Sequence, residues 1–439
     1  MAKSSRYFPR VRQRWLHYYC ANELIHLAVF LLLATHSEKI PVWVGIGALN
    51  VLVNYLLFYA SNCLIFVAVI FTRRALRGTD WRVAAAPRFP VPTFKESHVS
   101  TLDGVDLRVC VAQGDPGAPC MLLAAPLGQC GPSVYAPIMA FYGPQFTYVT
   151  WDYRGFFGSG DAGGSRKISI HQHALDAIQV LDGTGFATAD VMVGFSMGTA
   201  VAFEAVLIFP SRVKRLIILN GFHGHVFQTA FQPIFRMAFA GDLVAKFVEL
   251  LVRHPNCLAF TWRILRRCSS VAMPIYVKAF GSPLLRKLQG DDYLEGFFNT
   301  YFGRLIQSPK DLALWLRLFQ ELDAHSVYHV LPEITQPVLL VSGALDLLTP
   351  AMQSVEIARR IPHAVHYCDP LSSHMCLLES PEWCVAEIVR FLQETSRDVE
   401  PSPRDTTPSS RDVAGTTRGA VSTSKTEVPK VNRRATKRS

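Results

Sequence analysis

The chain has 439 residues, half of them hydrophobic, and a net charge of +10. Residues 1–20 and 396–439 each carry a net charge of +5, so 21–395 is neutral and lacks the basic face typical of nucleic-acid binding. We therefore expect no nucleic-acid partner.

Ten cysteines are scattered without a C-x-x-C pair, which is not the spacing of a disulfide-rich domain or a zinc site. The prediction is reduced thiols, no metal and no cofactor.

The N-terminal region has the pattern of a membrane anchor. A basic segment, 1–20, precedes the almost uncharged segment 21–72, in which the second apolar run, 40–71, is 32 residues long. A helix needs about 20 apolar residues to cross a bilayer. Five basic residues precede the first run and five arginines lie between 73 and 88. Because basic flanks stay on the cytoplasmic side, we predict a two-pass transmembrane hairpin with the following domain in the cytoplasm.

Two alternatives to this hairpin remain. A re-entrant hairpin that enters only one leaflet would present the same basic flanks. A signal peptide followed by a core helix fits less well, because no A-x-A-like cleavage site follows the first apolar run.

Residues 73–94 are predicted to be a linker, and 95–395 to form one α/β domain with a mostly parallel sheet. In that domain short Val-, Ile- and Leu-rich runs alternate with helical stretches, which is typical of a sheet covered on both faces. The predicted strands are 121–125, 146–150, 191–193, 213–219, 338–342 and 364–367, and the predicted helices are 171–181, 199–209, 351–361 and 383–393. The stretch 221–333 interrupts this rhythm with helix-rich sequence and is predicted to be an inserted helical cap.

The sequence Gly-Phe-Ser-Met-Gly at 194–198 lies between a predicted strand and a predicted helix. Glycines two positions before and after Ser196 allow the strand and the helix to approach closely while the serine takes a strained backbone conformation. The hydroxyl is then held at the edge of the sheet, near a helix N-terminus that favours negative charge. We predict that Ser196 is a catalytic nucleophile.

A serine hydroxyl is a weak nucleophile near neutral pH, so it needs a base, and the base needs an orienting carboxylate. Asp346 follows the predicted strand 338–342 and precedes a helix. The preceding strand instead ends at Asn220, with no acid before Asp242. Asp346 is therefore the predicted acid.

Three histidines lie near the last predicted strand, 364–367. His363 precedes this strand and His366 lies within it, whereas His374 follows its C-terminal end. Reacting groups of open α/β sheets gather at that end of the strands. His374 is therefore the predicted base.

The C-terminal segment 396–439 repeats with a period of seven residues and is rich in Ser, Thr and Pro. A coiled coil requires two apolar positions in each heptad, and this repeat lacks them. We predict a disordered, basic tail, because the segment buries too little apolar surface to offset its ordering entropy.

An acyl-transfer site also needs two backbone N–H groups that bind the oxyanion, one from Met197 and one from the loop after the strand 121–125. That loop, Ala-Ala-Pro-Leu-Gly at 124–128, looks like the His-Gly-x-Gly loop of the α/β-hydrolase superfamily. Trp-Asp-Tyr-Arg-Gly-Phe-Phe-Gly-Ser at 151–159 resembles the D-x-R-G-x-G-x-S turn of the same superfamily. With the nucleophile, acid and base in the expected order, 95–395 resembles an α/β-hydrolase fold.

The resemblance implies a serine esterase or lipase-like hydrolase that forms an acyl-enzyme, with Leu127 as the second oxyanion donor. There are two departures in the loops: Ala125-Pro126 stands where His-Gly is usual, and one extra residue precedes Gly158. A serine at 196 argues against the epoxide hydrolases and haloalkane dehalogenases of the superfamily, which use Asp there. Residues 221–333 occupy the position of the family's cap.

The cap segment 221–333 is rich in phenylalanine and carries a basic cluster at 263–267. Its aromatic residues are either ordinary core or part of a cap that rests on an anionic membrane and admits an acyl chain. We therefore expect a hydrophobic ester or a lipid as the substrate. Two other functions remain open: acyl transfer by the same triad, and a non-catalytic binding or scaffold protein. The H-x-x-x-x-D string from His171 to Asp176, found in some lipid acyltransferases, is interpreted as part of a surface helix.

Overall fold

A computed structural model of the protein describes residues 89–127, 133–161, 168–230, 240–280 and 307–397. The predicted basic segment 1–20 and membrane hairpin 21–72 lie outside the described residues, as do most of the predicted linker 73–94 and the tail from 398 onward. Among the helices that the structure describes, none is both long enough and apolar enough to cross a bilayer.

In the described residues eight strands form one sheet in the order β1-β2-β4-β3-β5-β6-β7-β8. From β4 across β3 to β8 all neighbouring strands are parallel, while β1 and β2 form an antiparallel hairpin that pairs with β4. The strands are β1 Lys95–Ser100, β2 Asp106–Ala112, β3 Cys120–Ala124, β4 Thr147–Trp151, β5 Val191–Phe195, β6 Leu216–Leu219, β7 Val338–Gly343 and β8 Val365–Asp369.

Ten α-helices lie in the described residues. They are α1 Ala136–Tyr142, α2 Ile170–Gly183, α3 Met197–Ile208, α4 Val226–Thr229, α5 Ala240–Arg253, α6 Pro255–Phe280, α7 Pro309–Ala324, α8 Ala351–Arg360, α9 Cys376–Glu379 and α10 Pro381–Arg397. The α/β-hydrolase fold with a mostly parallel sheet is thus confirmed. Four of these helices, α4 to α7, lie between β6 and β7, which are neighbours in the sheet.

Every residue of the five central strands β3 to β7 is buried. Successive side chains of a strand point to opposite faces, so Leu122 belongs to one apolar cluster and Leu123 to the other. This burial on both faces explains why the central strands are mostly apolar and could be predicted from the sequence.

The hairpin of β1 and β2 was not predicted. All residues of β1 except Val99 are exposed, because this strand is at the edge of the sheet and pairs only with β2. Its Lys-Glu-Ser-His sequence therefore lacks the apolar pattern that indicates a strand. Two boundaries in the structure differ from the predicted ones. The strand predicted at 213–219 begins only at Leu216, and the helix predicted from Thr199 begins at Met197.

Candidate active site

Ser196 lies between the C-terminal end of β5 and the first residue of α3. Its φ of 51° and ψ of −117° are unusual for a residue with a side chain and cost free energy that the surrounding structure must supply. The Ser196 N–H donates to the carbonyl of Leu219 on the neighbouring strand β6 at 3.0 Å. Thr199 donates twice to the Ser196 carbonyl, from its N–H at 2.9 Å and its hydroxyl at 2.6 Å. The strained turn is thus held from both sides.

The two flanking glycines are required by backbone contacts. A Cβ atom on Gly194 would lie 2.6 Å from the carbonyl oxygen of Gly198, and a Cβ on Gly198 would lie 2.0 Å from that of Ala124. Such distances are far below van der Waals contact. The close approach predicted from the two glycines is therefore present, and it also brings the start of α3 against the end of β3.

His374 lies in the loop between β8 and α9. Its Nε2 is 3.0 Å from Ser196 Oγ, and its Nδ1 is 2.9 Å from Oδ2 of Asp346. The structure therefore brings the three residues predicted as nucleophile, base and acid into one hydrogen-bonded chain. This geometry allows the Nδ1–H tautomer of His374 to accept the serine proton at Nε2.

The other two histidines near β8 have different partners. His363 Nε2 is 2.6 Å from the carbonyl oxygen of Gln336, and His366 Nε2 is 2.8 Å from the hydroxyl of Ser342. Burial lowers the pKa of His366 to about 4, so this side chain is neutral near pH 7.

Asp346 is almost completely buried, with 1% of its surface exposed. Its Oδ1 accepts hydrogen bonds from the N–H groups of Leu348 and Thr349 at 2.8 and 2.9 Å. Its Oδ2 faces His374 and accepts a third bond from Asn220 Nδ2 at 2.6 Å. Donors on both oxygens fix the direction in which the carboxylate faces His374.

Asn220, at the end of β6, is a site residue that the sequence analysis did not identify. It is fully buried and has a φ of 50°. Besides Asp346, its Nδ2 lies 3.3 Å from the Ser373 carbonyl, and its Oδ1 accepts from Cys376 Sγ at 2.7 Å. Burial holds the pKa of the Cys376 thiol well above its usual value, so this thiol remains a donor and keeps the Asn220 amide group turned toward Asp346.

Thr349 was also missed. Its hydroxyl oxygen is 2.8 Å from Asp346 Oδ2, 2.9 Å from the Asn220 carbonyl and 3.2 Å from His374 Nδ1. The signal that could have found Asn220 is its place at the C-terminal end of β6, because reacting groups gather at that end of the strands in open α/β sheets. Thr349 follows Asp346 by three residues, as expected for a side chain that closes a turn around a carboxylate.

The two predicted oxyanion donors lie at the ends of neighbouring elements. Met197 is the first residue of α3, and Leu127 lies three residues beyond the end of β3; both are buried. Residues 128–132, which complete the loop after Leu127, lie outside the described residues. The pairing of these two N–H groups in one oxyanion hole stays a prediction.

The H-x-x-x-x-D string has a structural role in this fold. Asp176 accepts hydrogen bonds at 2.6 Å from both Nε and Nη2 of Arg154, a side chain that is completely buried. His171 is instead 2.9 Å from Glu204 on α3. The two residues of the string therefore have separate partners away from Ser196.

In the part of the chain that the structure describes, no cluster of three metal-ligating side chains occurs.

The sequence of the chain is similar to those of known hydrolases. The model of the alpha/beta hydrolase fold family matches residues 127–381, more than half of the chain. A pimeloyl-(acyl-carrier protein) methyl ester esterase from Vibrio atlanticus is 25% identical over 229 residues, which cover 52% of this chain and 80% of that protein. Epoxide hydrolase A from Mycobacterium tuberculosis is 32% identical over 118 residues, 27% of this chain and 36% of that protein.

Among solved structures, the enol-lactonase from Burkholderia xenovorans superimposes with a TM-score of 0.51 at 19% identity. The match covers 68% of this chain and all of the lactonase. At this identity the likeness establishes the fold.

Proposed function

Because the chain belongs to the alpha/beta hydrolase fold family, we propose that it is a serine hydrolase that cleaves carboxylic esters. The observation that carries this proposal is the chain of hydrogen bonds from Ser196 through His374 to Asp346, at 3.0 and 2.9 Å. Sequence similarity to a methyl ester esterase supports an ester as the substrate.

In the proposed reaction the Ser196 oxygen attacks the ester carbonyl carbon while His374 Nε2 takes the hydroxyl proton. The resulting oxyanion is bound by the N–H groups of Met197 and Leu127. When the bond to the leaving alkoxide breaks, His374 returns its proton to the alcohol. A water molecule then attacks the acyl-enzyme, again losing its proton to His374, and the acid leaves as Ser196 regains a proton.

The serine also separates this chain from the epoxide hydrolases of the superfamily. Those enzymes use a carboxylate at the nucleophile position, and Ser196 occupies it here. The alignment to the mycobacterial epoxide hydrolase covers only 118 residues, so it supports common descent and not a common reaction.

A hydrophobic acyl or lipid substrate is the second part of the proposal, and the surface of α5 and α6 supports it. Leu243, Phe247 and Leu250 are spaced at i, i+4 and i+7 on α5 and are 53%, 55% and 47% exposed, while Phe260 and Ile264 on α6 are 62% and 46% exposed. Large aliphatic and aromatic side chains on one helix face with this exposure are typical of a surface that binds a membrane or a partner.

The charge of this surface favours an anionic bilayer as the occupant. Residues 240–268 contain five Lys and Arg residues and two acidic residues. A basic, apolar helix pair is attracted to anionic lipid and inserts its apolar side chains at the headgroup boundary. The predicted membrane hairpin at 21–72 would keep the enzyme close to such a surface.

Labelling with a fluorophosphonate tests the hydrolase proposal. The full-length protein in membranes should be labelled, and Ser196→Ala should abolish the labelling. A lack of Ser196-dependent labelling would contradict the enzyme and favour the scaffold alternative. Product analysis with an added alcohol acceptor separates hydrolysis from acyl transfer.

The lipid part needs a separate experiment. The double variant Phe247→Glu and Phe260→Glu should slow hydrolysis of a long-chain ester in vesicles with anionic lipid, and leave a short soluble ester unaffected. Leu102→Glu is the matched control, because Leu102 is 97% exposed and lies in the turn between β1 and β2. An equal loss on both esters, or a preference of the wild type for short soluble esters, would contradict the lipid substrate.

A further inference from the structure

We propose that Tyr135 and Tyr153 are positioning residues that hold the loop segment 124–127 by its backbone carbonyls, so that the Leu127 N–H faces the substrate. This inference rests on the proposed hydrolase function. Tyr135 lies just before α1 and Tyr153 lies two residues after β4, so the two side chains reach the loop from different elements.

Each tyrosine donates a hydrogen bond to one of two consecutive carbonyls at the end of β3. The Tyr135 hydroxyl is 2.6 Å from the Ala124 oxygen, and the Tyr153 hydroxyl is 2.7 Å from the Ala125 oxygen. Both side chains are buried, with 0% and 2% of their surface exposed. Burial holds the pKa of each phenol well above its usual value, so both remain protonated donors near neutral pH.

The Ala124 carbonyl is also restrained by the backbone of Gly198. The backbone of Gly198 approaches it so closely that a Cβ on Gly198 would lie 2.0 Å from its oxygen. The Tyr135 hydroxyl and the first turn of α3 therefore fix the peptide group at the end of β3 relative to the nucleophile.

The Ala125 carbonyl controls the next step of the loop. This oxygen belongs to the peptide group that joins Ala125 to Pro126, and the proline ring fixes its own φ near about −65°. With that peptide group held by Tyr153 and the proline φ fixed, only the ψ of Pro126 remains to orient the Leu127 N–H.

Tyrosine-to-phenylalanine variants test this assignment, with Tyr148→Phe as the matched control. Tyr148 is also buried and its hydroxyl donates to a backbone carbonyl, that of Gly143, at 2.9 Å. It lies near the N-terminal end of β4, at the opposite end of the sheet from Ser196. All three variants lose one buried hydroxyl donor, so similar shifts of the thermal midpoint are expected.

The kinetic effects should differ. Removing an oxyanion donor outright costs about 10²- to 10³-fold in kcat, so a donor that is only misdirected should cost less. We expect Tyr153→Phe and Tyr135→Phe to lower kcat on a soluble ester by about 10- to 100-fold with KM within about 2-fold. Affinity for a boronic acid, which forms a tetrahedral adduct with Ser196, should fall by the same factor, while Tyr148→Phe should change neither quantity.

Unchanged kcat and boronic acid affinity in both variants would overturn the proposal, as would an equal effect of Tyr148→Phe. If Tyr153→Phe does not fold, Pro126→Ala replaces it, because this change frees φ and leaves both phenols in place; wild-type kcat in Pro126→Ala would also refute the assignment. Failure of the hydrolase proposal is distinguishable, since the wild type itself would then lack Ser196-dependent labelling.

Discussion

Replacing Asp346 by Asn would convert one oxygen of a buried carboxylate into an NH2 group without changing the size of the side chain. Oδ1 accepts from two backbone N–H groups at 2.8 and 2.9 Å, so the amide oxygen must take that place. The NH2 group then faces His374 Nδ1, 2.9 Å away, and the Asn220 NH2 group, 2.6 Å away. The substitution therefore reverses one hydrogen bond and places two donors against each other.

The reversed bond determines the effect on rate. With a donor at position 346, His374 must accept at Nδ1 and carry its proton on Nε2, the atom 3.0 Å from Ser196 Oγ. A protonated Nε2 cannot take the serine proton. In a Ser-His-Asp site this wrong tautomer costs about 10⁴-fold in kcat, equivalent to roughly 5.5 kcal/mol.

The two opposed donors determine the effect on stability. Leaving a buried donor without an acceptor costs about 1–3 kcal/mol. Adding Asn220→Asp should recover some of that cost, since the new carboxylate at position 220 accepts from the amide at 346 and still accepts from Cys376 Sγ, while the contact of Asn220 Nδ2 with the Ser373 carbonyl is lost. The tautomer of His374 stays wrong, so the double variant should regain stability without regaining activity.

Steady-state hydrolysis of a soluble ester gives kcat and KM, and urea unfolding gives the free energy of unfolding. Asp346→Asn should lose at least 10³-fold in kcat with a small change in KM. A loss of only a few-fold would show that another residue is the acid. Restoration of kcat in the double variant would show that the carboxylate acts equally well from position 220, and would refute the tautomer argument.

Three further predictions concern the stability contributed by residues outside the proposed triad. Gly198→Ala should destabilise the fold by about 1–3 kcal/mol, measured by urea unfolding, because its Cβ would lie 2.0 Å from the Ala124 oxygen. Arg154→Met should cost about 3–5 kcal/mol, because it leaves the buried carboxylate of Asp176 without the guanidinium that it contacts at 2.6 Å. His366→Gln should reduce the loss of stability on acidification between about pH 6.5 and 4, since burial lowers the pKa of His366 to about 4 and the unfolded chain then binds roughly one more proton over that interval.

Each of these three predictions has its own control variant or control measurement. Gly185→Ala is not a suitable comparison for Gly198→Ala because Gly185 has a φ of +85°, whereas Gly160→Ala is, with its nearest contact at 3.4 Å. Arg154→Met combined with Asp176→Leu should recover part of the lost stability, and no recovery would contradict the unpaired-charge explanation. For His366 the stability must be compared at pH 7.5 and pH 5; an unchanged difference between these two values in His366→Gln would contradict the burial argument.

Much of the central fold could be predicted from the sequence. Strands that are buried on both faces are mostly apolar, as in 191–195 and 338–343, so each could be predicted from its composition. The hairpin of β1 and β2 was not recognisable, because an edge strand such as Lys95–Ser100 can be polar when its partner strand supplies the burial.

The nucleophile, acid and base were predicted from local sequence and chain order. Each follows a strand that ends at the same edge of a parallel sheet, and this rule brings Ser196, Asp346 and His374 together without knowledge of distances. Their hydrogen bonds span 178 and 28 positions in the chain.

Tyr135 and Tyr153 carry no comparable local signal, and the place of Asn220 after β6 does not reveal which group it contacts. Asn220 meets Asp346 across 126 positions, and Tyr153 meets Ala125 across 28. Whether an amide or a phenol reaches a particular oxygen depends on strand order, register and side-chain direction, which only the tertiary structure decides. The sequence by itself determined which residues are the candidates for nucleophile, acid and base, because a strained turn, an acid and a base each need particular residue types at particular strand ends. The tertiary structure decided which neutral polar side chains hold those groups in place, because a hydrogen bond depends on tenths of an ångström.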